Sequence, residues 1–180
     1  MAEFDDFANQ LLEEAKRFLE KAKDCADVAA EAANLHAALM LSFCAFEAHV
    51  NSIAEEFSLS PGLSAHEKGI LLERDVKLEN GEFQLLSGLR IARLEDRIEF
   101  LCAKFAGEPL DRSATWWSRL GSAMDLRNKL THPKNVTPVT ESAVRGAIEG
   151  IVDALQVLYE GIYKRKFPPA GQGLQSRLTF

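Results

Sequence analysis

The chain has 180 residues, 47% of them hydrophobic, and a formal net charge of −6. That length suits one domain able to bury roughly two-thirds of its unfolded surface. The acidic balance argues against a protein coated all over for nucleic acid, and three widely spaced cysteines without a Cys-x-x-Cys argue against a disulfide framework or a zinc site. No apolar run is expected to reach the ~18–20 residues of a membrane span, and the acidic N-terminus does not suit a signal peptide. The expectation is therefore a cytoplasmic protein with no membrane partner, in which Cys25, Cys44 and Cys102 are small core or near-core residues of a reducing compartment.

Residues 3–23 place Phe4, Phe7, Leu11, Ala15, Phe18 and Ala22 at three- and four-residue steps, which predicts an amphipathic N-terminal helix (1–25) with an acidic outer face. Asp24 and Asp27 break or cap the chain, and a second helix follows over about 26–57. It is rich in alanine, so a neighbour can approach closely, and Leu35, Ala38, Leu39, Ser42, Phe46, His49, Val50 and Ile53 share a stripe. Ser60-Pro61-Gly62 reads as a loop. Ser64-Ala65-His66-Glu67 reads as a capping box opening a short helix to about Glu73. Over 76–85, Asn80-Gly81 between alternating apolar residues predicts a hairpin, because a type I′ turn needs φ > 0 at both central positions. Its register pairs Leu78 with Phe83 and Val76 with Leu85 on one face, and since a lone hairpin is marginal that face is expected to lie on the helices.

A third long helix is predicted over 89–105, with Ile91, Leu94, Ile98, Leu101, Cys102 and Phe105 inward and Arg90, Arg93 and Arg97 alternating with Glu95, Asp96 and Glu99 on an exposed, ion-paired face. Gly107 and Pro109 end it. The next helix spans about 112–132, with Trp117, Leu120, Met124 and Leu130 as core contacts. Beyond a loop at 133–138, Thr140 caps a last helix over 141–164, striped with Val144, Ile148, Ile151, Leu155, Leu158 and Ile162. After Phe167 the run Pro-Pro-Ala-Gly-Gln-Gly predicts a flexible tail over 168–180. The pattern is that of one all-α domain over 1–167 with a small hairpin excursion.

Functional chemistry concentrates in Leu126-Arg127-Asn128-Lys129-Leu130-Thr131-His132-Pro133. Asn128 and His132 stand at i and i+4 on one helix face, and Arg127 lies one step round it. Pro133 disfavours α geometry at His132 and cannot continue the amide ladder, so the helix ends there. A histidine at a helix C-terminus feels the negative end of the macrodipole, which favours its charged form. Charge is also uneven along the chain: residues 1–60 hold 4 Lys/Arg against 12 Asp/Glu, net −8, and residues 61–180 hold 17 against 15, net +2. Arg119, Lys129 and Lys134 near the motif can serve as substrate-binding cations around Arg127 without a basic whole, although a solvated mixed-charge surface is the simpler reading of any single lysine.

This run resembles the signature of the HEPN (higher eukaryotes and prokaryotes nucleotide-binding) domains: an arginine, a polar residue, then a histidine after four to six intervening positions. Arg127, Asn128 and His132 match it in order and spacing, and the motif closes one helix with another long amphipathic helix following. Phe46-Glu47-Ala48-His49-Val50-Asn51 is similar to the first core helix of several HEPN families. The resemblance covers roughly residues 30–165 in organisation and about eight residues in detail. It implies an antiparallel bundle of four to five long helices, a homodimer whose two motifs line one cleft, and a metal-independent endoribonuclease leaving 2′,3′-cyclic phosphate ends. It also implies a toxin–antitoxin or phage-defence setting, with a cognate antitoxin as partner. One HEPN subgroup continues the motif as His-x-Tyr; Lys134 stands at the tyrosine position here, so regulation by tyrosine modification is not carried over.

The residues themselves point the same way by what is missing. There is no Gly-rich phosphate loop, no Gly-x-Ser-x-Gly elbow and no His-Glu-x-x-His. A di-iron bundle needs Glu-x-x-His pairs, and Ala33, Phe46, Leu63 and Lys129 stand three residues before the four histidines, so neither metal nor cofactor is expected. Cys44 with His49 as thiol and base is a minor candidate. RNA brings its own nucleophile, the 2′-OH, so an enzyme need only move protons and stabilise a charged transition state. Arg127 suits the second task as a permanently charged fork for phosphate oxygens. His132 suits the first, a role worth ~10²–10⁴ in rate, and Asn128 can orient the imidazole or the phosphate. Against this stands a purely structural reading, in which Arg127 pairs with Asp125 or Glu47 and His132 merely stops the helix. Two further readings stay open: a non-catalytic HEPN-like module binding nucleotide, RNA or protein, and an adaptor whose apolar stripes hold partners together.

Overall fold

The structure is a computed structural model; it describes residues 2–180, with side chains from Phe4 onward. Among the described residues the fold is mainly α: six helices, α1 (Ala2–Asp24), α2 (Val28–Phe57), α3 (Ala65–Leu72), α4 (Leu94–Leu101), α5 (Thr115–Thr131) and α6 (Glu141–Tyr163), and one antiparallel hairpin of β1 (Arg74–Glu79) and β2 (Glu82–Leu89). A π-helical stretch, Cys102–Ala106, continues α4.

Local signals set most boundaries. The Asp27 carboxylate accepts from the Ala29 and Ala30 amides and opens α2. Ser64 and Glu67 form the reciprocal capping box at α3, and the Thr140 hydroxyl accepts from the Ala143 amide at the start of α6. Each such cap is worth about 1 kcal/mol. Asn80 and Gly81 both take positive φ, 50° and 86°, and the register pairs Val76 with Leu85 and Leu78 with Phe83.

The core is built around α2, with α1 and α6 packed along it and α5 against α6. The α2 stripe is buried throughout, as is that of α6 from Val144 to Leu158. By length and composition α2 matches a membrane span, one 18-residue window reaching a mean hydropathy of 1.4, contrary to the expectation that no segment would. In this structure thirteen of its residues, from Leu35 to Ala54, are buried within the protein.

Three further expectations, all about the helices, are corrected. In α1 the buried stripe is Ala8, Leu12, Ala15, Leu19 and Ala22: Ala15 and Ala22 are buried as predicted, but Leu12 and Leu19 take the fully buried places expected for Leu11 and Phe18, and Phe4 and Phe7 are exposed. Small alanines at every second position of that stripe let α1 lie close on the alanine-rich face of α2. The third long helix does not begin at 89: β2 runs to Leu89 and helical geometry starts at Leu94, so Ile91 is 80% exposed instead of inward. Arg97, placed on the exposed face, is buried, its Nη2 donating to the Leu71 carbonyl at 2.9 Å and its Nη1 3.2 Å from the Glu73 carboxylate.

The hairpin root lies on α3. Gly69 makes this possible, since a Cβ there would sit 2.8 Å from Val76 Cγ2 and 3.0 Å from the Arg74 carbonyl oxygen. Towards the tip the only ring contact with a helix among the described residues is Phe83 edge-on to His66 of α3, and Leu78 and Phe83 remain more than half exposed. Segment 168–180, read from composition as a flexible tail, lies along α1: the Ser176 amide donates to Glu20, the Arg177 amide to Glu13, and the Ser176 hydroxyl to the Glu13 carbonyl. The Glu13–Lys16 ion pair (3.0 Å) is buried there.

Candidate active site

Leu120, Ala123 and Met124 bury one face of α5, which turns the motif at its C-terminal end towards α2 and solvent. The helix stops as the sequence requires: the His132 amide still donates to the Asn128 carbonyl at 2.9 Å, but His132 itself has φ −127° and ψ 62° before Pro133. His132 and Asn128 are exposed.

Arg127 is three-quarters buried. Its Nη2 donates to Glu47 Oε1 at 3.1 Å, and its guanidinium carbon lies 5.1 Å from the centre of the Phe43 ring. Its Nε is buried and unpaired among the described residues. Glu47, which the sequence offered as a structural partner of Arg127 and left out of the site, therefore lines it beside the guanidinium. Arg127 and Asn128 line a cleft of about 400 Å3 whose other walls include Glu47, Asn51, Glu73, Arg93, Glu95 and Arg97. Three carboxylates face three guanidinium groups, so the cleft is charge-balanced. The signal for Arg97 was positional: with Leu94, Ile98 and Leu101 it falls on the apolar stripe of α4.

The remaining predicted residues are not brought into that cleft. His132, at the end of the same helix, does not line it, nor do the exposed Lys129 and Lys134. Arg119, eight residues earlier on α5, faces Asp153 of α6 at 3.5 Å and lines a different surface groove. Arg127 and Asn128 thus form the walled part of the candidate site, with His132 as an exposed imidazole one turn beyond.

The thiol alternative is corrected by position. Cys44 is exposed and only Cys102 is buried, Cys25 lying half-buried. Although its surface is open, partial desolvation against the neighbouring helices and the Glu47 charge push the Cys44 thiol up, against a lowering by Arg127, which leaves it further from a reactive thiolate. His49 sits on the buried face of α2, 1% exposed, edge-on to Phe167 and Tyr159 with ring centres 5.0 and 6.3 Å away. Neither ring nitrogen has a partner among the described residues, and burial holds its pKa down to about 4 against a raising by Asp5. It cannot serve an exposed cysteine as base.

No family model, no curated protein and no solved structure matches the chain.

Proposed function

We propose that the protein is a metal-independent endoribonuclease of HEPN type, a cytoplasmic homodimer whose helices form a HEPN-like antiparallel bundle, acting as a toxin or defence effector held in check by a cognate antitoxin. The observation that carries this reading is the end of α5. An arginine side chain one-quarter exposed lines a cleft beside Asn128, and a solvent-facing imidazole follows one turn later.

In this reading Arg127 grips the oxygens of a phosphodiester as negative charge builds in the five-coordinate transition state. His132 takes the 2′-OH proton or protonates the leaving 5′-oxygen, and Asn128 orients one of the two. One chain supplies one such histidine. A second copy of the motif across a dimer cleft supplies the other proton-transfer group.

A second reading has its own support. The Glu47 carboxylate occupies one terminal nitrogen of Arg127, which favours a non-catalytic module that binds nucleotide, RNA or protein without cutting. Purified protein incubated with total RNA in EDTA separates the two. Cleavage by the wild type, lost in both Arg127→Ala and His132→Ala at unchanged helical signal, supports the nuclease. Equal cleavage by wild type and variants removes it, and salt-sensitive RNA binding without cleavage selects the module.

A further inference from the structure

The Arg127 cleft balances acid against base, so it offers a polyanion little net attraction. Next to it lies a second cleft of about 360 Å3, between α3, the hairpin root and the segment 90–93. Ile91, Ala92 and Arg93 line both clefts and form the wall between them. The second cleft has a different charge: Arg74, Arg90, Arg93 and His66 line it, with Asp96 as the one acidic residue.

Two of those arginines are uncommitted. Among the described residues neither Arg74 nor Arg90 enters an ion pair, and Arg93 has only a contact at 3.7 Å to Glu95 while staying three-quarters exposed. Their backbone is nevertheless fixed. Glu73, in the left-handed region at φ 52°, accepts the Arg90 amide on its carbonyl at 2.8 Å and the Ala92 amide on its carboxylate at 3.1 Å. The same carboxylate is anchored by the buried Arg97. An exposed aromatic stands at the rim: Phe83, 56% exposed, meets the His66 ring edge-on at 4.5 Å.

We propose that this cleft binds single-stranded RNA, with Arg74, Arg90 and Arg93 on successive phosphates and Phe83 offering a face for a base. It rests on the nuclease reading only for the ligand being RNA; the site stands on its own residues. Guanidinium forks suit phosphate oxygens, and base stacking on an exposed ring is tolerant of sequence. The shared wall at 91–93 would carry a strand from this cleft to Arg127. An acidic peptide has no use for the exposed ring, which is why RNA is favoured over it.

The test is fluorescence anisotropy of a labelled, uncleavable 2′-O-methyl oligouridylate of about fifteen nucleotides, in EDTA across a salt series. The proteins are full-length wild type, R74A/R90A, Phe83→Ala and, as a charge-loss control outside both clefts, Arg145→Ala on α6, each checked for wild-type helicity and mass. Wild type and Arg145→Ala are expected to bind alike. R74A/R90A should weaken binding roughly ten-fold or more and shrink the log K against log salt slope by about 0.7 for each phosphate no longer neutralised. Phe83→Ala should weaken it about five-fold or more with the slope unchanged. Wild-type affinity and slope in R74A/R90A, no binding by wild type, or tighter arginine-dependent binding of polyaspartate would each overturn the proposal. Cleavage of RNA by the same wild-type sample is scored separately: cutting without Arg74/Arg90 dependence sinks only this site, and binding without cutting sinks only the nuclease.

Discussion

Arg127 and Glu47 stand eighty residues apart in the chain and meet with Nη2 3.1 Å from Oε1, the carboxylate half exposed and the guanidinium one-quarter exposed. A pair so open to solvent is worth roughly 0.2–1 kcal/mol. Its part in the site can therefore be separated from its part in the fold.

If Arg127 acts on phosphate, Glu47→Ala frees the guanidinium and keeps cleavage within about ten-fold of wild type, whereas Arg127→Ala abolishes it. Both variants should unfold within about 1 kcal/mol of wild type in denaturant. Equal loss of cleavage in the two would show that the ion pair matters as a pair, and that Arg127 has no separate role.

Gly69→Ala tests how the hairpin is seated. The added methyl would come 2.8 Å from Val76 and 3.0 Å from the Arg74 carbonyl, and a backbone atom cannot step aside as a side chain can. A loss of about 1–3 kcal/mol is expected by chemical denaturation. Gly146→Ala, on α6 with nothing within 4 Å of the new methyl, should be neutral or stabilising by comparison.

His49 sets a pH dependence. Its folded pKa, about 4, lies below the ordinary 6.5, so between these values the unfolded chain takes up a proton that the folded one refuses. Stability is full above about 6.5 and falls as pH drops towards 4, by on the order of 3 kcal/mol. Lys104 and the Ser64 cap hold the Glu67 carboxyl down to about 2, so its contribution is lost only at lower pH, between 4.5 and 2. His49→Phe should flatten the upper window and leave the lower one intact; thermal unfolding from pH 7 to 2 reads the difference. An unchanged slope in that variant would assign the effect elsewhere.

What could be read from the sequence was what short-range chemistry decides. The caps at Asp27, Ser64 and Thr140, the Asn80-Gly81 turn with its register, and the α2 and α6 stripes each rest on neighbours within four residues. Where two apolar stripes lie one step apart, as Leu11/Leu12 and Phe18/Leu19 do in α1, only the partner helix chooses between them, and close approach to the alanines of α2 chose the one with the smaller residues. Arg97 was misread because a charge on an apolar stripe looks like surface until the Leu71 carbonyl and Glu73 are seen beneath it. In the candidate site, Arg127, Asn128 and His132 were legible as a local run. Glu47 was legible only as one of two possible partners of Arg127, and the structure selects it over Asp125; the arginine cleft was not legible, because it joins α3 to the hairpin and segment 90–93.

The most direct measurement is the end chemistry of one RNA oligonucleotide incubated with purified protein in EDTA, alongside a copy carrying a single 2′-deoxy sugar at the cut position. Cleavage of the all-RNA strand to 2′,3′-cyclic phosphate and 5′-hydroxyl ends, with the deoxy copy intact and His132→Ala inert, is the expected result. Cutting at the deoxy position, 5′-phosphate products, or full activity in His132→Ala would contradict it.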